Sequence, residues 1–309
     1  MPSTVALLES KGLVQPPPWL SSNIHYETQM GSVAYGVSGD SSDMDIYGFC
    51  IPRKDMVFPH LAGEIDGFGR NRNKFEQWQQ HHIFDQESMN GHGRSHDLTI
   101  FSIVKYFSLL MENNPNMIDS LFTPQSCVLH CTAVGQMVRE QRRLFLHKGS
   151  WFKFKGYAYS QLHKMKTKNP EGKRREIREK FGFDVKYAYH VVRLLDEVEQ
   201  ILAIGDIDIQ RSKEHLKAIR RGDVPETDIR QWASDKELAL EKLYQESTLR
   251  HSPDEQAIKM LLLQCLESHY GSIDNCVSVC GFEFAALQQI HDICAQVLQK
   301  QTATERTSR

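Results

Sequence analysis

The sequence predicts an α+β protein, with a small mixed sheet and flanking helices in its N-terminal part and a helical C-terminal part. Three observations predict it. Short runs with strand patterning, NIHYETQM, MDIYGFCI and HDLTI, all lie before residue 101 and are separated by polar, glycine-rich stretches. From Phe101 onward apolar residues recur at spacings of three and four, beginning with Val104, Phe107 and Met111. At 309 residues the chain exceeds a typical single domain, and about 150 residues per domain implies two. The expected division is an N-terminal arm over 1–19, a sheet-containing domain over 20–130, a helical domain over 131–301 and a frayed tail over 302–309.

In chain order, the arm carries a short helix at Val5 to Glu9 and ends in the rigid QPPPW. NIHYETQM forms a strand, a turn rich in Gly, Ser and Asp follows, and MDIYGFCI forms a second, largely buried strand. Val57 to Ser95 is polar and rich in Gly, His, Asn and Gln, which predicts loops with a hairpin around HHIFDQE before HDLTI resumes strand character. The helix after Phe101 stops at NNPN. There Asn114 caps, and Pro115 opens, a short helix ending at LF. The remaining helices are predicted at Ala133 to His147, Ser150 to Lys166, Asp184 to Ile204, Lys213 to Arg221, Ile229 to Arg250, Asp254 to Tyr270 and Phe284 to Lys300.

Composition narrows the function classes. With 40% hydrophobic and 25% charged residues and a net charge of -2, the chain is an ordinary globular protein and not a polycation. No run approaches eighteen apolar residues and MPSTVALLESKGLVQ lacks the basic region of a signal peptide, so a cytoplasmic protein with no membrane partner is expected. Seven scattered cysteines fit reduced thiols better than a disulfide framework. The cluster His81, His82, His92 and His96 fits no zinc spacing and reads as loop histidines. Neither G-x-S-x-G nor a P-loop occurs.

The chemistry concentrates in MGSVAYGVSGDSSDMDIYGF, Met30 to Phe49. In a strand, residues i and i+2 share a face, so Asp43 and Asp45 project together. Two adjacent carboxylates repel each other unless a cation lies between them, and Mg²⁺, which takes oxygen ligands, is suited to that place. Gly31 allows close backbone approach and Ser32 adds a hydroxyl, so the turn can cradle the β- and γ-phosphates of a nucleotide. Metal and cradle together describe phosphoryl or nucleotidyl transfer with two cations.

G-S, about ten residues, then D-x-D before an apolar strand resembles the signature of the polymerase-beta-type nucleotidyltransferase superfamily. Within it, GSVAYG and SDMDIYG resemble the RNA-repair-pathway DNA polymerase beta family, with NNPNMIDSLF, FGFDVKYAYHVVRLL and LKAIRRGD as further matches from roughly 20 to 223. The resemblance implies a third carboxylate on a later strand, binding metal and helping to deprotonate the attacking hydroxyl. Asp97 is the candidate, with Asp85 and Glu87 as alternatives. On the helix from Asp184, the donors Lys186, His190 and Arg193 fall on one face opposite Ala188, Val192 and Leu195. The resemblance implies that this basic face meets triphosphate oxygens or the acceptor backbone.

From Lys148 to Lys186 there are twelve Lys and Arg against four Asp and Glu, and SWFKFKGYAYSQLHKMKTK mixes rings with lysines as single-strand binders do. The expected function is a metal-dependent nucleotidyltransferase. It would use two Mg²⁺, or Mn²⁺, and move a nucleoside monophosphate from an NTP such as ATP to an acceptor hydroxyl. The acceptor implied is an RNA 3′ end, in repair or tailing. A protein hydroxyl, a small molecule, and a catalytically silent nucleotide or RNA sensor are the rival readings.

Overall fold

The computed structural model describes residues 2–37, 43–65, 74–167, 172–272 and 290. Apart from residue 290, the expected helix at Phe284 to Lys300 lies outside them, as do the tail and Cys276, Cys280 and Cys294. Among the described residues Cys50, Cys127 and Cys265 are buried, Cys131 is half-buried, and all four are free thiols. No described helix is long and apolar enough to cross a membrane.

Five strands form one mixed sheet in the order β3-β4-β2-β1-β5. They are β1 (Ile24–Gln29), β2 (Met44–Cys50), β3 (Gln77–Asp85), β4 (Arg94–Ser102) and β5 (Val128–Cys131). β2 and β4 run parallel, and the other pairs are antiparallel. The polar run around HHIFDQE is the edge strand β3, whose outward Gln and His side chains suit an edge that must not recruit another chain. β5 was not expected. Its four residues, VLHC, are all half-buried and carry no alternation to read.

The pleat sorts the strand residues onto two faces. Ile46, Cys50, Leu98 and Ile100 face the N-terminal arm, whose Val5, Leu8 and Val14, with Leu20 just after it, cover them. The arm is therefore a layer of the core. Its helix α1 (Thr4–Ser10) is anchored by buried Glu27 of β1, whose carboxylate accepts the backbone N–H groups of Thr4 and Val5. An anion at the first turn of a helix complements its dipole.

The other face, with Tyr26, Phe49 and Phe101, packs on helices. Single turns α2 (Gly31–Ala34), α3 (Lys54–Val57) and α4 (Ser88–Gly91) punctuate the sheet. Then follow α5 (Ile103–Met111), α6 (Pro115–Phe122) and α7 (Ala133–Glu140). The C-terminal part consists of α8 (Ser150–Thr167), α9 (Lys173–Phe181), α10 (Val185–Ile204), α11 (Lys213–Arg221), α12 (Glu226–Glu246) and α13 (Glu255–Tyr270). Asn114 caps α6 with Pro115 at its start, as its sequence requires. Helix α10 is apolar over most of its circumference and is enclosed by α8, α11 and α12. One apolar core runs without a break from the sheet to α13.

Much of the aromatic and lysine segment serves packing. Trp151 and Phe154 are buried, and Lys155 lies 4.8 Å over the Trp151 ring while pairing with Glu237 at 2.7 Å. The charged run KRREIREK is helix α9, with Arg175 and Glu179 paired at 2.8 Å.

At the β1 edge, His25 hydrogen-bonds with Thr132 at 2.7 Å and with His269 of α13 at 3.0 Å. Burial, with the charges of His269 and His130 adding to it, lowers the His25 pKa to about 4. The unfolded chain takes this proton near 6.5, the folded chain only near 4. The folded state therefore binds fewer protons in this window, and the stability His25 contributes at neutral pH is lost as pH falls through it. The urea midpoint of the wild type should drop between pH 6.5 and about 4 more steeply than that of His25→Gln. Parallel profiles would rule out this coupling.

Candidate active site

The parallel register of β2 on β4 sets Asp45 directly opposite Asp97. Paired residues point to the same face, here the helical one, because Ile46 and Leu98 point to the arm. Asp43, exposed immediately before β2, lies two residues before Asp45. The three predicted carboxylates therefore come from neighbouring strands onto one end of one sheet face. Burial raises the Asp45 pKa, and Asp97 and Asp43 raise it further, while Lys186 opposes them. Loss of hydration and like-charge crowding both disfavour the second and third negative charge.

The G-S turn lies against the same group. The N–H of Met30 donates to the Asp45 carbonyl at 2.7 Å, and Gly31 follows with φ +73° to start α2. A Cβ on Gly31 would stand 2.5 Å from Asp45 Oδ2, so any other residue there would push that carboxylate from its place. Ser32 is half-buried in the same turn, its carbonyl accepting the N–H of Val37 at 2.9 Å. Gly31→Ala combines a clash with a left-handed backbone, and it should cut turnover about 10-fold or more while costing about 1–2 kcal/mol of stability. Steady-state kinetics and a melt on one preparation check this, and full activity would show that the turn and Asp45 need not touch.

Asp97 is held from the edge strand. The β3–β4 pairing slips between Gln80 and Ile83, and His82 there takes φ 56°. The bulge turns the His82 N–H onto Asp97 Oδ1 at 2.7 Å and brings the His81 and His82 rings to 3.7 and 4.0 Å. Sequence reasoning passed these two histidines over as loop residues, and a polar pair on an edge strand carries no mark of a bulge. Of the alternatives to Asp97, Asp85 is bound by Lys11 at 2.8 Å and Glu87 by the same lysine at 3.2 Å.

Across from the carboxylates stands the start of α10, capped by Asp184. Lys186 is exposed there and its charge reaches Asp45. His190, one turn on, is half-buried and stacked on Tyr189 at 4.2 Å. Burial lowers its pKa far below the usual value, with Arg193, Lys186, Arg174 and Arg220 acting in the same direction, so its ring is neutral.

Arg193 does not join this face. It is buried and pairs with Asp119 of α6 and, at 2.9 Å, with Glu197, and its guanidinium lies 4.3 Å over the Tyr35 ring. Tyr35 donates to Asp119 at 2.7 Å. The helical angle that aligns Arg193 with Lys186 is correct, but by the third turn α10 has passed from the cleft into the core. Asp119 then claims the guanidinium. Burial pushes Glu197 well above the usual carboxylate range and raises Asp119 as well, so the single guanidinium is not asked to balance two full charges. Three family-like stretches, GSVAYG, NNPNMID and HVVRLL, meet in this network and tie the G-S turn to the core.

The donor set fits a hard divalent cation. It offers crowded carboxylate oxygens on adjacent strands, one of them kept accessible by the missing Cβ of Gly31. Among the described residues no three His, Cys, Asp or Glu side chains are gathered closely enough to hold a metal by themselves. Asp97 is partly engaged by His82, and Asp43 is exposed. That matches Mg²⁺ chemistry, in which one or two carboxylates share the ion with water and substrate phosphates.

A family model described as the RNA repair pathway DNA polymerase beta family matches residues 20–262. Among solved structures, the chain is similar to a nucleotidyltransferase-like protein from Exiguobacterium sibiricum 255-15. The identity is 13%, with 88% of this chain and 77% of that chain covered, and the TM-score of 0.28 is too low to argue from. No curated protein matches the chain.

Proposed function

The chain belongs to the RNA repair pathway DNA polymerase beta family, polymerase-beta-type nucleotidyltransferases, and we propose that it transfers a nucleoside monophosphate from an NTP to the 3′ hydroxyl of an RNA. The observation that carries the reading is the Asp45–Asp97 register beside Gly31, which sets two crowded carboxylates against the G-S turn. Asp45, with Asp43 and Asp97, would hold Mg²⁺ or Mn²⁺. When bound, the ions supply Lewis-acid stabilisation of the charge that develops on the transferring phosphate.

The protein's own groups position and deprotonate. Gly31, Ser32 and Lys186 receive the triphosphate, the lysine by direct charge and the turn by close backbone approach. The acceptor hydroxyl oxygen attacks the α-phosphorus. The bond from that phosphorus to the bridging oxygen breaks, its electron pair leaves on pyrophosphate, and the hydroxyl proton passes to the Asp97 carboxylate. The His82 N–H fixes the orientation of that base. The family description and the surplus of Lys and Arg between 148 and 186 support an RNA acceptor.

The test is an α-labelled NTP transfer assay in cell extract with Mg²⁺, sorted by the class of molecule that acquires label. RNA should take the label. Label confined to protein or to a small molecule would overturn the acceptor assignment, and no transfer at all would favour a silent sensor.

A further inference from the structure

Resting on the reading of the carboxylate end as a nucleotide site, we propose that Lys186, His190 and Arg220 form a phosphate pocket between α10 and α11, in which Arg220 takes the part that Arg193 does not. Arg220 lies in LKAIRRGD, near the end of α11. Two buried nitrogens in this wall make no hydrogen bond, Nδ1 of His190 and Nη1 of Arg220. Arg220 Nη1 is a donor in every state and His190 Nδ1 is one in the tautomer that carries its proton there, and buried donors are nearly always satisfied, so the open guanidinium nitrogen marks a place for an acceptor.

The acceptor is an anion. The charges of Lys186, Arg174, Arg193 and Arg220 all reach the His190 ring. Arg193 is neutralised by Asp119 and Glu197, and Arg174 by Asp184 at 3.5 Å. Lys186 and Arg220 are left, and among the described residues Arg220 makes no ion pair with a carboxylate. The wall is also rigid. The Tyr189 ring carries His190 stacked at 4.2 Å on it, and the Arg220 guanidinium lies 5.6 Å from its centre. Lys186 acts on both Asp45 and the His190 ring, and Tyr189 is reached by the charges of Asp45 and Arg220, so this wall lies within electrostatic reach of the carboxylates. A guanidinium fork, an ammonium and an imidazole N–H around one space are suited to tetrahedral phosphate oxygens.

Inorganic tripolyphosphate is the probe, with binding read by calorimetry on the full chain. Arg220→Met should weaken binding about tenfold or more, His190→Gln should weaken it less, and Arg220→Lys should fall between wild type and Arg220→Met. Cooperative melts of each variant establish that the fold is intact, and Arg220→Lys covers a failure of the methionine variant to fold. Kinetics then identify which phosphate is held. A rise in KM for NTP assigns the triphosphate, and a rise confined to the acceptor assigns a strand phosphate. Unchanged tripolyphosphate affinity in Arg220→Met and His190→Gln overturns the pocket. If the wild type transfers no nucleotide yet binds tripolyphosphate through Arg220, the pocket stands and the active-site reading fails.

Discussion

Asp45→Asn abolishes nucleotide transfer, by about 10³-fold or more, and at the same time makes the protein more stable at neutral pH. Both effects have one cause. The Asp45 carboxylate is half-buried beside Asp97 and Asp43, and its pKa is raised above the ordinary 3.8 by burial first and by these neighbours next. Below 3.8 both the folded and unfolded chains hold the proton, and there is no penalty. As pH rises past that value the unfolded chain ionises freely while the folded one resists, so a penalty on the folded state builds until its own carboxyl has ionised and persists in full above that pH. Asparagine keeps the shape beside Gly31 and removes the charge. The melting temperature should rise by roughly 1–3 °C at pH 7–8, with the gain shrinking toward acid pH. Melts across pH, with turnover on the same samples, check it. A variant that is active, or one that is less stable at pH 8 than at pH 4 relative to wild type, contradicts the proposed role of Asp45.

Arg193→Met has the largest structural effect. It leaves Asp119 and Glu197 buried without their cation and removes the guanidinium stacked on Tyr35. Unpairing a buried ion network costs about 3–5 kcal/mol, enough to lower the melting temperature of a chain this size by roughly 6–12 °C. Tyr35→Phe removes only the hydrogen bond to Asp119 and should cost about 1–3 kcal/mol. Replacing Asp119 and Glu197 by Leu in the Arg193→Met background should recover part of the loss, because well-packed apolar groups replace such networks at little cost. Urea denaturation of the series measures this. If Arg193→Met melts like the wild type and only raises KM for NTP, Arg193 faces the nucleotide as its helical position first implied.

The carboxylates were legible because their constraint is local. A D-x-D at a strand start shares a face by geometry alone, and Gly31 precedes it across one turn. Asp97 could be chosen because the family resemblance implies a carboxylate on a later strand and HDLTI has strand character. Arg193 was misread because its partner, Asp119, lies 74 residues away, and nothing in an amphipathic helix tells how deep each turn sits. For the same reason Arg220 was passed over, since its role depends on the Tyr189 ring of another helix. β5 escaped notice as four half-buried residues that exist as a strand only because β1 offers them an edge. The arm read as a segment apart from the domain because it ends in the rigid QPPPW, yet Glu27 and the apolar sheet face make it part of the core.

The central claim is tested most directly by purified protein, Mg²⁺, an NTP and a defined RNA oligonucleotide, with the RNA product resolved by mass. The expected product is the oligonucleotide lengthened at its 3′ end by nucleoside monophosphate, with pyrophosphate released, no reaction in EDTA, and no product from an RNA whose 3′ hydroxyl is blocked. An unchanged mass across all four NTPs, or extension of the blocked RNA, contradicts it.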